Sequence, residues 1–201
     1  MNNQDWDLIC DGNKDALGRL YDELSDTLYV YGMKIVANKE IVEDAIQDLF
    51  LSLFTKAKSI SRPKSINVYL CVALKNRILN EIGTSRRMST VPLESEDFST
   101  NAIDSYSFNL EIDPQSLTIL NEEEREQQRS LQEALNELTA KQREIIYLKY
   151  YKGLSGDEVA EIIDTSPQVI YNTTSQIMKK LKERLAYNKY LIILIFLSQN
   201  W

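Results

Sequence analysis

Histidine is missing from all 201 residues. Its absence removes the commonest general base and the commonest metal ligand. Glycine and proline together number only ten, and no run of residues alternates at period two, so strands are not expected. The chain reads as all-helical. Cysteine occurs twice, at Cys10 and Cys71. So wide a spacing makes no metal or redox motif, and both are read as reduced thiols of a cytoplasmic protein. No apolar run is long enough to span a bilayer. The opening MNNQDWDLICDG is acidic and lacks an apolar core segment, which excludes a signal peptide. There is no glycine-rich phosphate loop and no metal-ligand cluster. No enzyme is therefore expected: no catalytic residue, no metal, no cofactor and no small-molecule substrate.

What is present is ordinary in bulk and uneven in detail. Apolar residues make up 43% and charged residues 26%, as in a soluble globular protein of one large or two small domains. The net charge of −7 is not spread evenly. Residues 1–87 carry 12 basic and 12 acidic side chains, whereas residues 88–124 carry nine acids and no Lys or Arg. Residues 125–201 carry 11 basic and 9 acidic side chains. The acidity thus sits in the middle, and the overall sign does not argue against nucleic acid as a partner. It does argue against tight, nonspecific DNA binding by the isolated protein.

Three helices are predicted in a first domain, residues 5–87. Leu17, Leu20, Tyr21, Leu24, Leu28, Tyr31 and Ile35 make a stripe at three-four spacing over residues 15–37. A wider stripe over 41–58 carries Val42, Ala45, Ile46, Leu49, Phe50, Leu53 and Phe54. The opposite face of that second helix shows Glu43, Asp44, Gln47 and Asp48 beside Leu51. A polar loop, SISRPKS, leads into a third helix over 66–87. It buries Leu70, Ala73, Leu74, Ile78 and Ile82 and presents Lys75, Asn76, Asn80, Arg86 and Arg87. Residues 88–115 are rich in Ser, Thr, Asn and acid, and read as a flexible linker. A second domain spans 116–189. The last twelve residues, YLIILIFLSQNW, form an apolar tail over 190–201 that should pack on the second domain or on a partner.

The segment 138–185 is the most informative. Leu131, Ala134, Leu135 and Leu138 mark one helix, and Thr139 caps another that carries Ile145, Ile146 and Leu148. Gly153 closes that helix, and Ser155 caps the next with Glu158 three residues on, a capping box. Val159, Ala160 and Ile163 share one face, and Ala160 is small enough for a second helix to cross close above it. Asp164 falls where the turn needs a left-handed residue. Ser166 and Pro167 supply an N-cap and a first-turn proline. The last helix buries Ile170, Ile177 and Leu181. Its other face shows Gln168, Tyr171, Asn172, Ser175, Gln176 and Lys179, which are groups able to read a major groove. Cap, crossing residue, turn and second cap in this order are the layout of a helix-turn-helix.

With these pieces placed, the chain resembles bacterial sigma-70 family RNA polymerase sigma factors, in particular the extracytoplasmic-function (ECF) group that keeps only domains two and four. DALGRLYDELSDTLYVYGMKIV resembles the opening helix of domain two, and EDAIQDLFLSLF its most characteristic segment. VYLCVALKNRILNEIGTSRR is similar to the helix that opens the promoter, and LTAKQREIIYLKYYKGLSGDEVAEII to domain four. An LYxxYG-like pattern and the pair Tyr171-Asn172 suggest the Bacteroidetes members. The resemblance covers all but the linker and the tail.

The resemblance implies partners and roles. Core RNA polymerase would dock on Asp44, Gln47, Asp48 and Leu51. The −10 promoter element would meet Lys56, Lys58, Arg62, Lys64, Lys75, Asn76, Asn80, Arg86 and Arg87. The −35 element would meet Lys149, Ser166, Gln168, Tyr171, Asn172, Ser175, Gln176 and Lys179. Where relatives often carry Arg, this chain has Tyr171, Thr173, Gln176 and Met178. Fewer cations imply fewer phosphate contacts, with specificity leaning on amides suited to adenine edges. The acidic linker would thread the polymerase's cationic RNA channel, and an anti-sigma factor is an implied partner. The competing reading is a free-standing helix-turn-helix regulator that never joins polymerase. Its first domain would need a ligand pocket or dimer face instead of an acidic docking face.

Overall fold

The computed structural model describes residues 3–89, 106–111 and 122–184, without the side chains at 3–5, 85–89, 123–124 and 127–128. Within these residues the fold is all-α, with no strand. The chain divides into two compact units, Met1–Ser107 and Phe108–Trp201. The apolar tail 190–201 lies outside the described residues, as do 90–105 and 112–121 of the region around the predicted linker.

The first unit contains α1 (Asn3–Cys10), α2 (Lys14–Ile35), α3 (Lys39–Lys56), a 3-10 turn (Ala57–Ser59) and α4 (Ile66–Ser89). Two asparagines start the long helices. The Asn13 side-chain oxygen accepts from the Ala16 N–H at 3.0 Å, and that of Asn38 from the Ile41 N–H at 3.2 Å. Each thereby satisfies one donor that a helix start leaves orphaned. The predicted stripes are the core. Leu20, Leu24, Leu28, Tyr31 and Ile35 from α2 pack against Val42, Ile46, Leu49 and Leu53 from α3 and Leu70, Leu74 and Ile78 from α4. Each fully buried Leu or Ile contributes about 1.5–3 kcal/mol before entropy is counted. Ala73 and Ile82, expected in the core, are half-buried, and Tyr21 lies at its edge, exposed.

Gly32 lets the three helices approach. A Cβ there would stand 2.8 Å from Val42 Cγ1 and 3.2 Å from Ile78 Cδ1, both inside ordinary carbon contact distance.

Two features of this unit were not anticipated. The sequence reading begins its first helix near residue 15, yet α1 precedes it as a fourth helix. Trp6 and Ile9 of α1 are buried, and the Trp6 ring meets Tyr69 edge-on at 6.3 Å. Eight residues carry too few turns for periodicity to show. The second feature is Lys75, expected on the open face of α4 but only 7% exposed, with its ammonium 5.2 Å from the Tyr106 ring centroid. The cause is geometric: one residue is 100° of helix, and Lys75 follows Leu74 on the flank of the buried stripe.

The second unit contains α5 (Glu122–Asn136), α6 (Ala140–Ile146), a π turn (Tyr147–Tyr151), α7 (Gly156–Ile163) and α8 (Pro167–Arg184). The predicted capping box of Ser155 with Glu158 forms, and Thr139, expected as a cap, makes a second one with Gln142. Gly153 at φ 66° and Asp164 at φ 55° take the left-handed turns. Val159, Ala160, Ile162 and Ile163 of α7 and Ile170, Ile177 and Leu181 of α8 are buried, and Ala160 is only 3% exposed beneath the paired helices. The extended residues 108–110 add Phe108 and Leu110 to this core, although they lie in a stretch read from composition as linker.

Candidate nucleic-acid interface

On α8 the buried residues Ile170, Ile177 and Leu181 fall on one side of the wheel. Gln168, Tyr171, Asn172, Ser175, Gln176 and Lys179 all fall outward and are exposed. Tyr171 is 72% exposed, far more than an aromatic ring with a packing role would be. The Gln168 amide donates to the Asn172 side-chain oxygen at 3.0 Å, so the two amides one turn apart are aligned on one face. Ser166 is occupied as the cap: its hydroxyl accepts from the Val169 N–H at 3.4 Å. Lys149 lies apart from this face, half-buried in the π turn.

The cations of α8 are divided in purpose. Lys180 lies 3.7 Å and Arg184 3.2 Å from the two carboxylate oxygens of Glu137, and Lys180 also donates to the Glu137 carbonyl at 3.0 Å. These ties fasten α8 to the end of α5. Lys179 points outward, 80% exposed, at the 4.0 Å limit of an ion pair with Glu183. Lys182 is exposed on the same side. The sequence reading omitted it, although its three-residue spacing from Lys179 was visible.

In the first unit, Asp44, Gln47, Asp48 and Leu51 are all exposed, and their 3-1-3 spacing puts them on one face of α3. Leu51 is 61% exposed, an apolar point among carboxylates. An open groove of ≈ 430 Å³ between α2 and α3 borders this face. Tyr21 and Tyr29 contribute from α2, and Glu43, Ile46 and Gln47 from α3. The α2 contribution was missed because Tyr21 reads as part of the buried stripe; its ring instead stands edge-on to Phe50 at 5.0 Å.

Lys56, Lys58, Arg62 and Lys64 are exposed between α3 and α4. Arg62 binds Asp7 of α1 at 2.8 Å, with both side chains about half exposed or more. Asn76 and Asn80 are exposed one turn apart on α4. Arg86 and Arg87 belong to α4, but their side chains lie outside the described set. Among the described residues no group of His, Cys, Asp and Glu could hold a metal.

Comparison with known proteins matches two stretches of the chain to family models. Residues 20–88 match sigma-70 region 2, and residues 128–181 match sigma-70 region 4. The ECF RNA polymerase sigma factor BldN of Streptomyces coelicolor is 26% identical over 162 residues, which is 76% of this chain. The chain spans about half the length of that curated relative, 53%. Two solved structures share the fold at TM-score 0.54. One is CnrH in complex with the cytosolic domain of CnrY, 16% identical, covering 89% of this chain and 93% of that one. The other is the sigma factor RpoE with the anti-sigma factor NepR from Bartonella quintana, 20% identical, covering 83% and 94%.

Proposed function

This chain belongs to the sigma-70 family of RNA polymerase sigma factors, and on that premise we propose that it is a member of the ECF group that binds core RNA polymerase and directs transcription from particular promoters. It acts as a specificity subunit and catalyses nothing itself. The observation that carries this reading is the succession of a region 2 module and a region 4 module in one chain. Each module bears an exposed face of suitable chemistry. A free-standing regulator would have no use for the first of these modules.

In this proposal residues 5–87 form the module that holds polymerase and the −10 element, 88–115 the acidic connection, and 116–189 the module that reads the −35 element. Asp44, Gln47, Asp48 and Leu51 dock on polymerase. Carboxylates around an exposed leucine suit a basic surface with an apolar pocket, and charge complementarity of this kind sets specificity and on-rate more than raw affinity.

Lys56, Lys58, Lys64, Asn76 and Asn80 would follow the opened −10 strand, with Arg62, Arg86 and Arg87. A cationic track with amides beside it is what extruded bases require. Lys75, turned inward, would support this surface without touching DNA. Gln168, Asn172 and Gln176 read base edges, and Ser175, Lys179 and Lys182 steady the helix on phosphate. The exposed Tyr171 ring offers an apolar contact for a thymine methyl. Ser166 and Lys149 would act at the rim, the first through its backbone.

An anti-sigma protein is the expected third partner, as NepR is for RpoE. The site of action is the cytoplasm, in keeping with the lack of any helix among the described residues long and apolar enough to cross a membrane. The LYxxYG-like pattern and the Tyr171-Asn172 pair support a Bacteroidetes-like affiliation. Co-purification tests the proposal. The tagged chain should retain core polymerase on a column, and an Asp44→Lys, Asp48→Lys variant should not. Equal retention by both proteins, or by neither, would contradict it.

A further inference from the structure

The stretch of α8 from Pro167 to Met178 carries no charged side chain. Phosphates and the paired acceptors of guanine are met by Arg and Lys, so this end of the helix is built for neither. What it shows instead is a pair of amides. Gln168 and Asn172 stand one turn apart, both exposed, and Gln168 Nε2 donates to Asn172 Oδ1 at 3.0 Å. Neither side chain has another hydrogen bond among the described residues. The backbone beneath them is fixed. Ile170, midway between the two on the inner side, is 1% exposed, and its N–H donates to the Ser166 carbonyl at 3.2 Å.

The bond makes the two amides unequal. A carboxamide has two N–H groups to give and two lone pairs to receive with. Gln168 has spent an N–H and is left weighted towards acceptance. Asn172 has spent a lone pair and is left weighted towards donation. The pair therefore presents an acceptor from one residue beside a donor from the other. The major-groove edge of adenine asks for that combination, because its N6 amine donates and its N7 accepts. Guanine shows two acceptors and would set one of them against the Gln168 oxygen. Cytosine offers an amine and thymine a carbonyl, so each leaves one of the two amides unmet. A polar group enclosed without a partner is costly, and that cost is what discriminates.

We propose that Gln168 and Asn172 act as one reader of a single adenine. Gln168 Oε1 accepts from its N6 amine, Asn172 Nδ2 donates to its N7, and the bond between the amides decides which plays which part. This rests on the reading of α8 as the −35 helix and names the base that the first two turns select. Two amides without the bond could each turn and read a base of their own.

The test binds holoenzyme, assembled from core polymerase and the full chain, to a duplex library randomised across the −35 element, and sequences the retained DNA. The unaltered chain should favour adenine at one position by about tenfold over each other base. Gln168→Ala and Asn172→Ala should each remove most of that preference at the same position and leave the other positions unchanged. Combining them should do little more than either alone, as for residues that act as a unit. Gln168→Glu has no N–H to give and must accept from Asn172, so the pair turns towards acceptance. Cytosine, whose N4 amine needs only an acceptor, should replace adenine at that position. Adenine retained by Gln168→Glu, or single substitutions that act at different positions, would overturn this inference and leave the promoter reading standing. An unaltered holoenzyme that selects no base anywhere in the element would overturn both.

Discussion

Gly18 and Gly32 lie in the same helix, and alanine at the two positions should have opposite effects. Gly18 is exposed, and a Cβ there meets nothing within 4 Å. Only helix propensity changes, so Gly18→Ala should stabilise the first unit by about 0.5–1 kcal/mol. At Gly32 the same gain is opposed by contact. The new Cβ would stand 2.8 Å and 3.3 Å from the two Val42 methyls and 3.2 Å from Ile78 Cδ1. Carbon pairs prefer about 3.5–4.0 Å. Val42 cannot rotate both methyls away, because a β-branched residue in a helix has essentially one rotamer. Val42 and Ile78 are both fully buried, so neither has solvent to move into. Overpacking of this kind costs about 1–3 kcal/mol, and subtracting the propensity gain leaves a net loss of about 1 kcal/mol.

Urea titration followed by Trp6 fluorescence reads the first unit, with Trp201→Phe removing the only other tryptophan. Trp6 is 4% exposed, so its emission should shift on unfolding. The two alanine variants should differ in unfolding free energy by about 2 kcal/mol, with Gly32→Ala the weaker. A Gly32→Ala variant as stable as Gly18→Ala would show that the helices do not approach as closely as described.

Three other outcomes follow from the second unit. Ser155→Ala removes a capping box in which Glu158 returns a 2.8 Å bond to the Ser155 N–H; thermal melting should show a loss of about 1 kcal/mol. Asp164→Gly relieves a left-handed φ of 55° and should stabilise by up to about 1 kcal/mol, measured the same way; a loss would mean that the Asp164 side chain holds the turn. Gln168→Ala with Asn172→Ala should weaken promoter binding by about 1–3 kcal/mol while leaving the salt slope unchanged, whereas Lys179→Ala should make that slope shallower by about one. Electrophoretic mobility shifts of the reconstituted holoenzyme across a salt series would separate the two effects.

The helix-turn-helix was legible almost residue by residue because its signals are local. The Ser155 cap lies three positions from Glu158, and Ala160, the left-handed Asp164 and the Pro167 start of the next helix all fall within eight residues. The stripes of α2 and α3 were legible for the same reason, since periodicity is a property of the helix alone. What escaped depends on contacts distant in sequence. Trp6 of α1 finds Tyr69, Lys75 finds Tyr106, and Arg143 reaches back 35 residues to the Phe108 carbonyl. Composition marks residues 106–111 as solvated, yet two apolar side chains at alternate positions suffice to seat 108–110 on the second unit. Among the candidate binding residues, those named on α3 and on α8 are exposed, whereas Lys75 is buried and Lys149 is half-buried.

Run-off transcription with purified core polymerase over a library of genomic fragments decides whether this chain selects promoters. Added to core enzyme, it should produce discrete new start sites that disappear with the Asp44→Lys, Asp48→Lys variant while that variant keeps its helical spectrum. Start sites identical with and without the chain would contradict the assignment.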